Sequence, residues 1–146
     1  MPVIAKPFDL SIGPLIPLVF AANGTLRAQL QQQVQAQDKT PLVFEPFDVL
    51  IDTGADTTCI SPEVAHKLGL APQGQIPMST PSGTSPANTY LVDVGIPFGT
   101  AMHVVEGLQA IEFNGASSNY KGLMGRDIIC MGDFHISFDG RYTFAI

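Results

Sequence analysis

Residues 48–60 read DVLIDTGADTTCI. Val49-Leu50-Ile51 is a short apolar run with two β-branched residues, the pattern of a buried strand. Asp52-Thr53-Gly54-Ala55-Asp56 breaks that run with small and polar residues around a glycine, which predicts a sharp turn. Thr57-Thr58-Cys59-Ile60 returns to β-forming residues, so the stretch predicts strand, tight turn, strand. Ser61-Pro62-Glu63 then starts a helix, with Ser61 as N-cap and Pro62 at the first helical position. Gly69 is placed to close it.

The same reading extends outward in both directions. Leu15 to Ala22 is apolar enough for a buried strand, ended by the turn signal Asn23-Gly24. TLRAQLQQQVQAQ (25–37) sets Leu26, Leu30 and Val34 on one face of a helix of about three turns, with the glutamines on its solvated side. MSTPSGTSPANTY (78–90) has a Ser/Thr/Pro/Gly centre between strand-like ends and predicts a projecting hairpin. YLVDVGI (90–96) and MHVV (102–105) read as strands joined by a Pro-Phe-Gly turn. Residues 106–120 lack a clear pattern and are expected to form a long loop. GLMGRDIIC (122–130) reads as a strand passing into a short helix. Residues 135–146 form a hairpin with Asp139-Gly140 as its turn. With no repeat, linker or boundary in sight, residues 1–146 are expected to form a single, mostly β domain.

Charge and composition narrow the function. The 146 residues hold 13 acids and 7 bases, a net charge of −6, and the bases run from Lys6 to Arg141 without a cluster. Nucleic acid is therefore not an expected partner. Cys59 and Cys130 are too few for a disulfide framework and have no zinc-ligand spacing. His66, His103 and His135 are far apart, so neither a metal nor another cofactor is expected. No GxSxG or glycine-rich phosphate loop is present. The apolar stretch from Leu10 to Ala22 is interrupted by Pro14 and Pro17, so neither a signal peptide nor a membrane span is expected, and a cytoplasmic location follows as the expectation.

Chemistry concentrates at Asp52-Thr53-Gly54. A given tripeptide arises by chance in roughly 2% of chains of this length at average residue usage, so alone it is a moderate signal. Here it follows Val49-Leu50-Ile51, continues into Ala55-Asp56-Thr57, and is matched about seventy residues later by Leu123-Met124-Gly125-Arg126-Asp127. In this combination the sequence resembles the retropepsins, the viral-type aspartic peptidases and their cellular relatives, over about residues 48–130.

The resemblance implies a mainly β, closed retropepsin-like barrel, a single lobe of the acid protease fold, with one or two short added helices. It implies that Asp52 is the catalytic residue, that Thr53, Gly54 and Ala55 form its loop, and that Thr53 bonds across a two-fold axis. Substrate would meet Gly54, Asp56, Thr57, Cys59 and Leu123. Ser82, Gly83 and Thr84 would form the tip of a flap that closes over it. Pro81 and Pro86 depart here from the viral flap, which is richer in glycine. Arg126 would pair with Asp56 and brace the active-site loop. Cys59 reads as packing rather than as a nucleophile.

The assembly follows from the chemistry. Hydrolysis of a peptide without metal or covalent intermediate needs one group to deprotonate water and another to protonate the carbonyl. Two carboxylates about 3 Å apart can do both, because they share one proton. The sequence holds one D-T-G and no D-S-G; Asp139-Gly140 belongs to a hairpin, and Asp93 and Asp133 lack the following residues. The second aspartate must come from another copy, so a homodimer acting on a peptide or protein substrate is expected. The apolar strands of the 135–146 hairpin are candidates for pairing across its two-fold. A different class of function on the same fold, a dimerisation or peptide-binding module with little turnover, is the alternative.

Overall fold

The computed structural model describes residues 2–35, 44–115 and 119–146, apart from the side chains of residues 33–35 and Thr80. Among the described residues ten strands and three helices follow one another as β1 (Val3–Pro7), β2 (Leu15–Ala22), α1 (Thr25–Gln35), β3 (Phe47–Ile51), β4 (Cys59–Ile60), α2 (Pro62–Lys67), β5 (Gly74–Thr80), β6 (Gly83–Phe98), β7 (Ala101–Glu112), β8 (Gly122–Met124), α3 (Arg126–Ile129), β9 (Asp133–Ser137) and β10 (Arg141–Ala145). Seven strands pair in the order β2-β3-β8-β4-β7-β6-β5, and a further pairing of β2 with β6 closes six of them into a barrel. The hairpin arm β5 stays outside the closure. β1, β10 and β9 form a separate three-stranded sheet.

Closure depends on β2 changing partners. Its first half pairs with β3, Leu15 opposite Leu50 and Leu18 opposite Phe47, and its second half pairs with β6, Val19 opposite Gly95. Ile16, Leu18 and Phe20 alternate into the interior, where they meet Val49, Ile51, Ile60, Val92, Val94 and Met124. Tyr142 joins the small sheet to this core by donating its hydroxyl to the Leu15 carbonyl oxygen at 2.5 Å. Burial, and then the charge of Asp48, push that phenol up to about 12.

The helices follow their local signals. Ser61 caps α2 by accepting from the Val64 N–H at 3.3 Å, with Pro62 in the first turn. Gly69, at φ +64°, ends it: Leu70 N–H donates to the Ala65 carbonyl and Gly69 N–H to that of His66, the paired bonds of a Schellman motif. In α1, Leu26 is buried and Leu30 half-buried. Val34 and residues 36–37 lie outside the described side chains or residues. Among the described residues no helix is long and apolar enough to cross a membrane.

Three expectations are corrected. Residues 106–112 are strand, because β7 continues to Glu112. The pattern was hidden by a bulge: Val94 opposes Val105 and Val92 opposes Leu108, so Glu106 and Gly107 together face Asp93. The extra residue shifts the inward positions from Val105 to Leu108 and Ala110, and strict alternation is lost. Second, Pro97 and Phe98 belong to β6, and the turn is Gly99-Thr100. Third, the final hairpin has a three-residue loop, Phe138-Asp139-Gly140, with Gly140 at φ +80°. That is the geometry of a turn followed by a left-handed residue.

Asp93 holds the bulge in place. Its fully buried carboxylate accepts from Gly107 N–H at 3.2 Å, Gly24 N–H at 2.8 Å and Asn23 Nδ2 at 2.9 Å. One side chain thus joins the barrel wall to the turn that launches α1, and three donors offset the cost of burying it.

Candidate active site

The loop from Asp52 to Thr58 crosses over the end of one strand. β3 runs parallel to β8, Leu50 opposite Leu123 and Ile51 opposite Met124. β4 lies antiparallel on the other side of β8, Cys59 opposite Leu123 and Ile60 opposite Gly122. The chain must therefore arch from one flank of β8 to the other within seven residues. Asp52 N–H donates to the Met124 carbonyl at 3.0 Å, and Ala55 N–H donates to the Asp52 carbonyl at 3.1 Å. Gly54 N–H donates to Asp52 Oδ1 at 2.9 Å, which orients the half-buried carboxylate. Among the described residues Oδ2 accepts no hydrogen bond, so it is available to a reactant.

Two clamps fix the arch. On the exposed side Arg126 donates from Nη1 to the Thr53 carbonyl at 2.8 Å and pairs through Nη2 with Asp56 Oδ1. The expected pairing of Arg126 with Asp56 is present. On the inner side the Thr58 hydroxyl donates to Asp127 Oδ1 at 2.7 Å while its N–H donates to Asp127 Oδ2 at 2.9 Å. The same hydroxyl accepts from Gly125 N–H at 3.2 Å. A Cβ on Gly125 would stand 2.5 Å from the Thr57 carbonyl carbon, so only glycine allows the two segments to approach. Thr58 and Asp127 were missed in the sequence reading. Their signal is a threonine among apolar β formers, matched by an acid directly after Gly125-Arg126.

Strand register gathers the remaining groups. Leu50, Leu123, Cys59, Ile111 and Thr89 stand opposite one another across five strands and so share one face of the sheet. Asp52, two residues beyond Leu50, continues on that face. Ile111 was hidden in the expected loop. Cys59 is buried at 6% exposure, and its thiol is pushed up to about 11 by burial, then by the charges of Asp127 and Asp52. A thiol that holds its proton so firmly is a packing group, not a nucleophile at neutral pH. Thr57 is half-buried beside it.

Ser82, Gly83 and Thr84 lie elsewhere, at the exposed tip of the β5–β6 hairpin. Thr80 opposes Gly83 around the two-residue turn Pro81-Ser82, and Gly83 takes φ +126°. A cavity of about 320 Å3 lies between this hairpin and the segment after β7, walled by Met78, Pro86, Ala87 and Phe113. Among the described residues no three His, Cys, Asp or Glu side chains gather into a possible metal site. His66, His103 and His135 stand on α2, β7 and β9.

The model of a family described as aspartyl protease matches residues 43–128. No curated protein matches the sequence. Among solved structures, the chain is similar to a retropepsin-like aspartic protease from Rickettsia conorii, with 14% identity, 97% of this chain and 88% of that chain covered, and a TM-score of 0.59. It is also similar to the EIAV protease complexed with the inhibitor HBY-793, with 15% identity, 86% and 93% coverage, and a TM-score of 0.50. At these identities what is shared is the retropepsin-like fold.

Proposed function

The chain belongs to the aspartyl protease family, and from that premise we propose that it is an endopeptidase whose active site is completed by pairing of two copies. Asp52 from each copy supplies one carboxylate. The ionised member of the pair takes a proton from water, whose oxygen attacks the peptide carbonyl carbon; the protonated member gives its proton to the carbonyl oxygen. Collapse of the tetrahedral intermediate returns a proton to the leaving nitrogen and breaks the C–N bond. Catalysis needs one proton shared by the pair, so the rate passes through a maximum as pH is varied.

The observation that carries this reading is the state of Asp52. One oxygen is held by Gly54 N–H at 2.9 Å, the loop is clamped on both sides, and the side chain is half-buried. Such preorganisation suits a reacting carboxylate better than a solvated turn residue. The β5–β6 hairpin would serve as the flap, with Ser82, Gly83 and Thr84 over the substrate. Gly54, Asp56, Thr57, Cys59 and Leu123 would line the groove beneath it.

The test is cleavage of a mixed peptide library, followed by mass spectrometry. Wild-type protein should cut, and Asp52→Asn, which preserves shape and removes the base, should lose at least about a thousandfold in rate. Equal cleavage by both proteins would exclude a carboxylate mechanism. Binding of peptides by both without cleavage by either would favour the peptide-binding alternative.

A further inference from the structure

We propose that Glu112 is a positioning residue for the β5–β6 hairpin: its carboxylate, held by Tyr90 and Asn88, sets the angle at which the hairpin stands over Asp52. The inference rests on the reading above, in which the hairpin closes over a bound peptide, and specifies what fixes its root. The ladder between β6 and β7 runs as far as Thr89 opposite Ile111. From Asn88 to the turn, β6 has β5 as its one partner among the described residues. A two-stranded ribbon is marginal on its own and twists easily. Its direction is therefore decided where three strands become two.

A chain of side-chain hydrogen bonds crosses all three strands at that line. The Tyr90 hydroxyl donates to Glu112 Oε2 at 2.5 Å, Asn88 Nδ2 donates to the same oxygen at 3.3 Å, and Gln75 Nε2 donates to Asn88 Oδ1 at 3.1 Å. Thr89 and Ile111 belong to the face that carries Asp52, so Asn88, Tyr90 and Glu112, each one position along, project from the opposite face. The network thus grips the hairpin from behind. Glu112 also borders the cavity of about 320 Å3 between the hairpin and the segment after β7. That gap leaves side-chain bonding, more than packing, to hold the hairpin to the end of β7.

The chemistry of the network suits a tether. A carboxylate accepts and does not donate, which matches two donors converging on one oxygen. Burial, and then the bond to Glu112, raise the Tyr90 phenol, so it remains a donor through neutral pH. Ladder bonds between backbones fix register but let a sheet bend, whereas a charge-assisted bond across the bend weakens steeply as its partners separate. Tyr90 is 4% exposed and Glu112 half-buried, so water replaces the lost bond poorly. Swinging the hairpin away from its present angle therefore carries a cost that Glu112 sets.

Steady-state cleavage of one peptide, together with amide hydrogen exchange read by mass spectrometry, tests the role. Tyr90→Phe keeps the buried ring and removes the hydroxyl; Glu112→Ala removes the acceptor. Each should raise KM by about three- to tenfold, the worth of one hydrogen bond, with a smaller change in kcat. Each should also speed exchange in residues 78–88 while leaving Leu15–Ala22 of the barrel as in wild type. Glu112→Gln, whose amide oxygen can accept from both donors, should restore most of KM. A merely structural loss would lower kcat by shrinking the folded fraction, leave KM unchanged and speed exchange throughout. That pattern, unchanged exchange in the hairpin, or a KM in Glu112→Gln as high as in Glu112→Ala would overturn the positioning role while leaving the endopeptidase reading intact. Wild-type protein that cuts no peptide would defeat the endopeptidase reading instead. Exchange would then decide the tether by itself, with acceleration confined to the hairpin upholding it and uniform or absent acceleration overturning it.

Discussion

The loop bearing Asp52 is held to the turn at Gly125-Arg126-Asp127 twice, and the two attachments differ mainly in their exposure to water. The outer clamp joins Arg126 to Asp56 and to the Thr53 carbonyl, with side chains 46% and 83% exposed for the ion pair. The inner clamp joins Thr58 to Asp127 and Gly125, and Thr58 is fully buried. Charge alone would rank the outer clamp first. Burial reverses that order, because water competes for exposed partners and replaces them when they are lost, whereas a buried group left without a partner keeps the full desolvation penalty. The inner clamp therefore secures the fold of the loop, and the outer one tunes the position of its tip.

The largest expected effect probes the inner clamp. Thr58→Val retains the shape and strips the hydroxyl, leaving Asp127 Oδ1 without its donor and Gly125 N–H without its acceptor. Stability should fall by about 1–3 kcal/mol, measured by denaturant unfolding at fixed protein concentration. A loss of a few tenths would show that water reaches the site.

A pH titration sharpens the same contrast. The Cys59 thiol beneath the inner clamp keeps its proton to about 11, against an ordinary value of 9.0. Between those values the native state binds more protons than the unfolded chain, so stability falls as pH rises from about 9 to 11. The Tm difference between wild type and Cys59→Val should therefore shift in favour of the variant over that interval. A constant difference would mean that the thiol is not desolvated.

The smallest stability effect is expected at the outer clamp. Arg126→Ala should cost under about 1 kcal/mol, as exposed ion pairs do, while peptide cleavage falls by a larger factor because the Thr53 carbonyl and Asp56 lose their anchor. A stability loss matching that of Thr58→Val would erase the distinction between the clamps.

How far the molecule was legible varies with the range of the interactions involved. Ser61, Pro62 and Gly69 announce α2 because a cap and a left-handed terminus are satisfied within a turn of chain. Asp52-Thr53-Gly54 and the Arg126–Asp56 pair are likewise readable, since a tight turn and a matched ion pair demand particular residue types. The strand through Glu106 and Gly107 was not readable. Its bulge is defined only against Asp93 on the neighbouring strand. Residue by residue, the sequence alone determined the turn chemistry, the caps and the single D-T-G. Tertiary structure alone decided that Ile111 joins Leu123 and Cys59 on the face of Asp52, that Thr58 is sealed from water, and that Ile136 is not. Those outcomes depend on strand register and on which surface lies over which, and both are set by contacts between residues tens of positions apart.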